Sequence, residues 1–146
     1  MRLLSLLFAI ALTGPAVAAQ TGPPPLPWVD LGHALSGSTG DPLLRGTGTL
    51  DPDTMVRITL SNVVPHMPAW LLIGVSESYA SYKSGVMVPS PDNFAFDFTR
   101  SGSTSVEGRW PVGIPSGFQA CLQWWIADGA GPEGFAASNA VRLTAP

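Results

Sequence analysis

The chain has one cysteine, one lysine and two histidines in 146 residues, and only 12% of its residues are charged. Each scarcity excludes something. A single thiol, Cys121, cannot close an internal disulfide, so an exported domain built from this chain must be held by its own core. The expected state of Cys121 is a buried thiol. The six arginines and Lys83 are outnumbered by ten acidic residues, and the formal charge is −3. No basic stripe exists for nucleic acid or anionic lipid. The histidines His33 and His66 stand in separate loop segments, and no metal-ligand spacing or nucleophile-elbow motif accompanies them. His33 is expected to pack locally and His66 to be a solvated turn residue. The chain is therefore read as a non-enzyme without cofactor or metal. Long apolar runs are also scarce: after the first 12 residues none could cross a membrane as a helix.

What is abundant is glycine and proline, 31 of 146 residues, in a chain that is 45% hydrophobic. That combination suits many short strands and tight turns. The N-terminus carries Arg2, an apolar run from Leu3 to Leu12, the break Gly14-Pro15, and small residues at Ala16-Val17-Ala18. This is the pattern of a secretory signal peptide cleaved after Ala18 or Ala19, with no cysteine there for a lipid anchor. The expected organisation is a signal peptide over 1–19, a Pro-rich extended linker over 20–27, and one β domain over 28–146. Export to the cell surface or medium follows.

Within the domain, Met55 to Leu60 alternates strictly, with Val56, Ile58 and Leu60 on one face. Trp70 to Ser76 places Leu71, Ile73 and Val75 together. Phe94, Phe96 and Phe98 alternate with Ala95 and Asp97, and these rings are expected in the core. Ser103 to Trp110 sets Val106 and Trp110 against Glu107 and Arg109. Phe118 to Ile126 is the longest strand, with Ala120, Leu122, Trp124 and Ile126 facing the core. Leu43 to Leu50, Val86 to Val88 and Ala136 to Thr144 add shorter ones. Gly32 to Pro42 reads as irregular chain and Ser78 to Gly85 as a polar loop. No segment has helical periodicity over three turns. About 7–9 short strands with turn signals between them predict an all-β antiparallel two-sheet sandwich, immunoglobulin-like or jelly-roll-like, with a small barrel as the alternative.

The carboxylates read as turn residues. Asp51 and Asp53 flank Pro52, and Asp128 and Glu133 flank the last hairpin loop, where a calcium site is the less favoured alternative. Ser138-Asn139 inside a strand signal predicts a bulge or a side-chain bond to backbone. On the longest strand Trp125 faces outward beside Gln119 and Gln123, and Trp70 faces away from Leu71 and Ile73. With Tyr79 and Tyr82 from the neighbouring loop, these make the candidate binding set Trp70, Tyr79, Tyr82, Gln123 and Trp125. Such aromatics suit a protein interface or a sugar-stacking platform, unless a loop or the N-terminal segment covers them.

The run Trp28-Val-Asp-Leu-Gly-His33, the segments Gly40-Asp-Pro-Leu43 and Gly46-Thr-Gly-Thr-Leu50, and Leu72-Ile-Gly-Val-Ser76 carry a resemblance. So do Val88-Pro-Ser-Pro91, Trp110-Pro-Val-Gly-Ile-Pro115, Gln123-Trp-Trp-Ile-Ala-Asp128 and Gly134-Phe-Ala-Ala-Ser-Asn139. Together they resemble an uncharacterised β-sandwich accessory module of exported proteins in planctomycetes and other bacteria, often found at C-termini. The similarity spans nearly all of Trp28 to Pro146. It implies a sandwich with no catalytic residues to carry over; here the module is expected to stand alone behind its own signal peptide. The resulting expectation is a module for contacts with an extracellular or surface protein. Carbohydrate binding is the first alternative and hydrolysis a remote one.

Overall fold

The computed structural model describes residues 26–146; the expected signal peptide over 1–19 and most of the expected Pro-rich linker lie outside the described residues. Those described form an all-β antiparallel sandwich of eleven short strands, more than the seven to nine expected. They are β1 (Trp28–Gly32), β2 (Leu43–Thr47), β3 (Met55–Ser61), β4 (Pro68–Gly74), β5 (Glu77–Tyr82) and β6 (Gly85–Pro89). β7 (Asn93–Phe98), β8 (Ser103–Arg109), β9 (Gln119–Ala127), β10 (Phe135–Ala137) and β11 (Ala140–Thr144) complete them. One sheet runs β1-β11-β9-β4-β7, with β10 pairing the far end of β9. The second sheet is β2-β3-β8, and β5-β6 is a separate hairpin. No helix among the described residues is long and apolar enough to cross a membrane.

The core lies between the two sheets. Val56, Ile58 and Leu60 from β3 and Val106 from β8 meet Leu71 and Ile73 from β4 and Leu122, Trp124 and Ile126 from β9. Alternation puts these residues on one face of each strand, which is why the period of two in the sequence located them. The solvent face of β3 and β8 carries the Arg57–Glu107 pair at 2.8 Å and the Thr59–Ser105 hydroxyl contact.

Trp28 closes one edge. Its ring lies on the backbone of β2, and its Nε1–H donates to the Gly48 carbonyl at 2.8 Å. A methyl group on Gly46 would fall 2.0 Å from Trp28 Cε3. We expect Gly46→Ala to displace the indole and cost about 2 kcal/mol, the scale of overpacking a filled site, measurable by urea unfolding. An unchanged midpoint would show that the indole is not seated there.

Three strand readings change. Val75 is exposed because β4 ends at Gly74. The polar segment from Ser78 is strand β5, turning through Lys83 and Ser84, both at positive φ. Two left-handed residues make the tight turn whose twist matches a hairpin, and here neither is the glycine that usually announces it. Ala136 to Thr144 is two strands, β10 and β11, both on the same side of β9. Between them, Ser138 Oγ accepts from the Trp124 N–H at 2.9 Å and donates to the Asn139 carbonyl at 2.8 Å. Asn139 Oδ1 accepts from the Leu44 N–H at 2.7 Å, and its Nδ2 donates to the Leu44 carbonyl at 3.1 Å. The amide thus bonds β2 as a neighbouring strand would, and links the two sheets.

Candidate functional site

The outer face of the large sheet, away from the core, holds the candidate aromatics. Register sets Trp70 opposite Trp125 on one side and Phe96 on the other. Leu72 likewise lies between Gln123 and Phe94, and Pro68 is opposite Phe98. Once Leu71 and Ile73 face the core, their cross-strand partners Ala95 and Asn93 must share that face, and the phenylalanines must take the other. Phe94, Phe96 and Phe98 are accordingly 69%, 52% and 50% exposed. The expected core placement of these three rings is therefore incorrect. The inner face of β7 is made by small Ala95, packed on the core, and by Asp97, whose Oδ2 accepts from Thr104 Oγ1 at 3.3 Å.

The hairpin β5-β6 covers part of the same face. Trp125 points outward as expected but is only 2% exposed. Tyr82 meets it edge-on at 4.9 Å between ring centroids, and Gly85 lies against its far edge. Gln123 is fully buried and holds the hairpin down. Its Oε1 accepts from the Val88 N–H at 3.0 Å. Its Nε2 donates to the Val86 and Ser138 carbonyls, both at 3.1 Å. The side chain is thus committed to the fold. Tyr79 sits on the other side of the hairpin, edge-on to His33 at 5.4 Å, and its hydroxyl donates to Glu77 at 2.8 Å. That bond, with the nearby Glu77 carboxylate and partial desolvation, raises the phenol pKa. Glu77 also pairs with Arg142 at 3.0 Å, tying the hairpin to β11.

Of the five candidates, the structure brings Trp70, Tyr82 and Trp125 together and leaves Tyr79 apart. Beside the hairpin lies an open cleft of about 460 Å3. Trp70 and Leu72 form its floor with Trp125; Tyr82 and Met87 stand on the hairpin side and Phe94 on the other. Phe135 packs on Trp70 at 6.0 Å, and Lys83 Nζ lies 5.3 Å from its ring. The lining is mostly apolar: Tyr82 adds a phenol hydroxyl, and Asn93 lies at the strand's start, where its register opposite Ile73 sets it on the core face. Phe94, Phe96, Phe135 and Met87 are members that the sequence reading missed. Alternation located the phenylalanines on one face but did not say which face was inside.

The remaining sequence candidates have structural surroundings. Cys121 is a free, buried thiol, and burial pushes its pKa up to about 12, with the Glu77 carboxylate adding to the rise. His33 and His66 are both exposed and at positive φ, His66 in a turn and His33 in irregular chain after β1. Asp51 accepts from the Thr54 N–H and hydroxyl, closing its turn. No cluster of three metal-ligating side chains occurs among the described residues.

Asp128 accepts from the Ser38 N–H at 2.7 Å, the Ser38 hydroxyl at 2.5 Å and the Ala130 N–H at 3.0 Å. Burial opposes its charge, but these hydrogen bonds outweigh burial and hold its pKa below the ordinary aspartate value. A depressed folded-state pKa gives stability that is complete above the unfolded aspartate pKa and is lost as pH falls through the folded value. We expect acid unfolding below that ordinary range to shift toward neutral pH in Ser38→Ala, which removes one donor. Coincident acid transitions for the two proteins would refute the assignment.

No protein-family model, curated protein or solved structure matches the chain. The resemblance to exported accessory modules therefore rests on the quoted motifs alone.

Proposed function

We propose that this chain is an exported, non-enzymatic β-sandwich module of the kind it resembles, and that it makes protein contacts at the cell surface or beyond it. The contact surface is the aromatic edge formed by β4 and β7. The observation that carries this reading is the row of three half-exposed or more exposed phenylalanines on one strand, continuous with Trp70 and an apolar cleft. Contiguous apolar surface of this kind on a folded domain marks an interaction site. The ring chemistry favours protein over sugar. Phenylalanine has no polar handle, the cleft lining is mostly apolar, and Trp125, the best stacking ring, is covered. Half-buried Trp70, with the Tyr82 phenol in the same cleft, keeps sugar binding as the second reading.

A photo-crosslinking side chain placed at Phe94, with a control at Arg57 on the opposite sheet, separates these readings in envelope extract. Protein adducts from position 94 that are absent at position 57 are the expected result. Equal labelling at both positions would remove the assignment. A tryptophan fluorescence change with one polysaccharide of a panel, lost in Trp70→Ala, would move it to carbohydrate.

A further inference from the structure

The edge that carries the rings also has an open backbone, and its pattern fits a copy of itself. β7 is the last strand of its sheet and pairs only with β4. Pro68 stands opposite Phe98 and has no N–H to give, whereas the Thr99 N–H donates to the Met67 carbonyl at 2.9 Å. Alternation along an antiparallel ladder then assigns Asn93, Ala95 and Asp97 to the bonds with β4. The N–H and C=O groups of Phe94, Phe96 and Phe98 point to the free edge. One of these donors is satisfied locally: the Phe98 N–H donates to Asp97 Oδ1 at 2.8 Å.

The strand is close to a palindrome about Phe96. A two-fold axis there places Phe96 against its own copy and Phe94 against Phe98 of the other chain. On the inner face Ala95 meets Asp97, so the two carboxylates stay offset. Just outside the strand, Asp92 and Arg100 stand equally far from Phe96, and the same axis sets each opposite the other. Both are exposed. Asp92 is held anionic by bonds from the Ser90 hydroxyl and the Val75 N–H, which lower its pKa. Arg100 makes no ion pair among the described residues. Natural edge strands ordinarily carry charge, proline or a bulge against such pairing. β8, the edge of the other sheet, carries Glu107 and Arg109; β7 carries one inward-facing charge, Asp97, bonded to Thr104, and no charge in its outward row.

We propose that the partner of this edge is a second copy of the chain, joined by antiparallel β7–β7 pairing about Phe96. The proposal rests on the edge being a contact surface, as argued above. Charge complementarity at both ends and aromatic pairing between them favour self-association over a foreign strand. Three rings offer roughly 300 Å2 of exposed surface per copy, from side chains of about 200 Å2 each. With the strand backbones added, the pair lies near the lower limit of about 1,000 Å2 for a specific interface. The dimer is therefore expected to be in micromolar equilibrium with monomer.

Analytical ultracentrifugation of the exported chain tests this, together with oxidative cross-linking. Hydrogen-bonded antiparallel partners have Cα atoms about 5.5 Å apart, within the span of a disulfide. Phe96→Cys should cross-link to its own copy. Phe94→Cys alone should not, but should cross-link when mixed with Phe98→Cys. Arg100→Asp should weaken the dimer at least tenfold, and adding Asp92→Arg to it should restore association. A chain that stays monomeric to several hundred micromolar with no cross-link from Phe96→Cys overturns the self-pairing. If position 94 still captures a protein in extract, the contact surface stands with another occupant; if it captures none, both readings fall.

Discussion

Gln123→Leu should destabilise this domain more than any other single surface-face substitution, by about 3–5 kcal/mol, because several buried polar groups are orphaned together. The wild-type side chain satisfies the Val88 N–H and the Val86 and Ser138 carbonyls at once. Leucine fills most of the volume and satisfies none of them. Burying an unpaired amide or carbonyl costs the full desolvation of that group, whereas the bond itself had a small net worth. For a domain of this size the melting temperature should fall by roughly 10 °C or more. The loss has a local signature as well. The β5-β6 hairpin should lift, exposing Trp125 and red-shifting its emission. Trypsin should then cut faster after Lys83, the lysine at the hairpin turn. Gln119→Leu, on the same strand face but at an exposed position, is the control and should change stability by less than about 0.5 kcal/mol. If the two variants melt together, Gln123 does not hold the hairpin.

Asn139→Ala should cost about 2–4 kcal/mol, the scale for two buried backbone groups losing their partners. Its amide meets both the N–H and the C=O of Leu44, and both residues are buried. An apolar residue cannot stand in for a strand neighbour. Asn139→Asp is the sharper test. It keeps the acceptor for the Leu44 N–H but loses the donor, and it sets a buried charge against the Leu44 carbonyl. At neutral pH it should be at least as damaged as the alanine variant. It should regain part of the loss in mild acid, where a protonated carboxyl can donate again. Chemical denaturation at two pH values reads both effects, and a pH-independent deficit would contradict the bridging role.

These two residues also show what could be read from sequence. The core faces of β3 and β9 were legible because alternation there sets one wholly apolar side against a side that carries polar residues. The same alternation misled at β7, since a strand of phenylalanine against alanine and aspartate has an apolar face wherever it points. Its direction was fixed by register with β4, a long-range fact. The hairpin turn at Lys83-Ser84 was missed because neither residue is glycine, although a two-residue turn between Tyr82 and Gly85 puts both at positive φ. Ser138-Asn139 was legible as an anomaly inside a strand, but its partner Leu44, 95 positions away, was not. Gln123 was visible as a polar residue next to Trp125. That its three bonds make it a structural anchor depends on a hairpin that the sequence reading took for a loop. Of the candidate set, the structure brings Trp70, Tyr82 and Trp125 to one face and buries Trp125 and Gln123. Trp125 is the covered end of that face, and Phe94, Phe96 and Phe98 are the open end.

The most direct test of the docking edge is residue-resolved amide exchange at Phe94 and Phe96, followed by NMR from micromolar to millimolar chain. In dilute solution both amides should exchange quickly, since their N–H groups face the open edge, while Ala95 and Asp97 are protected by β4. At high concentration Phe94 and Phe96 should become protected in parallel with dimer formation. Protection of Phe94 and Phe96 in the dilute monomer would contradict the open edge. Fast exchange that does not change over the whole range would contradict self-pairing.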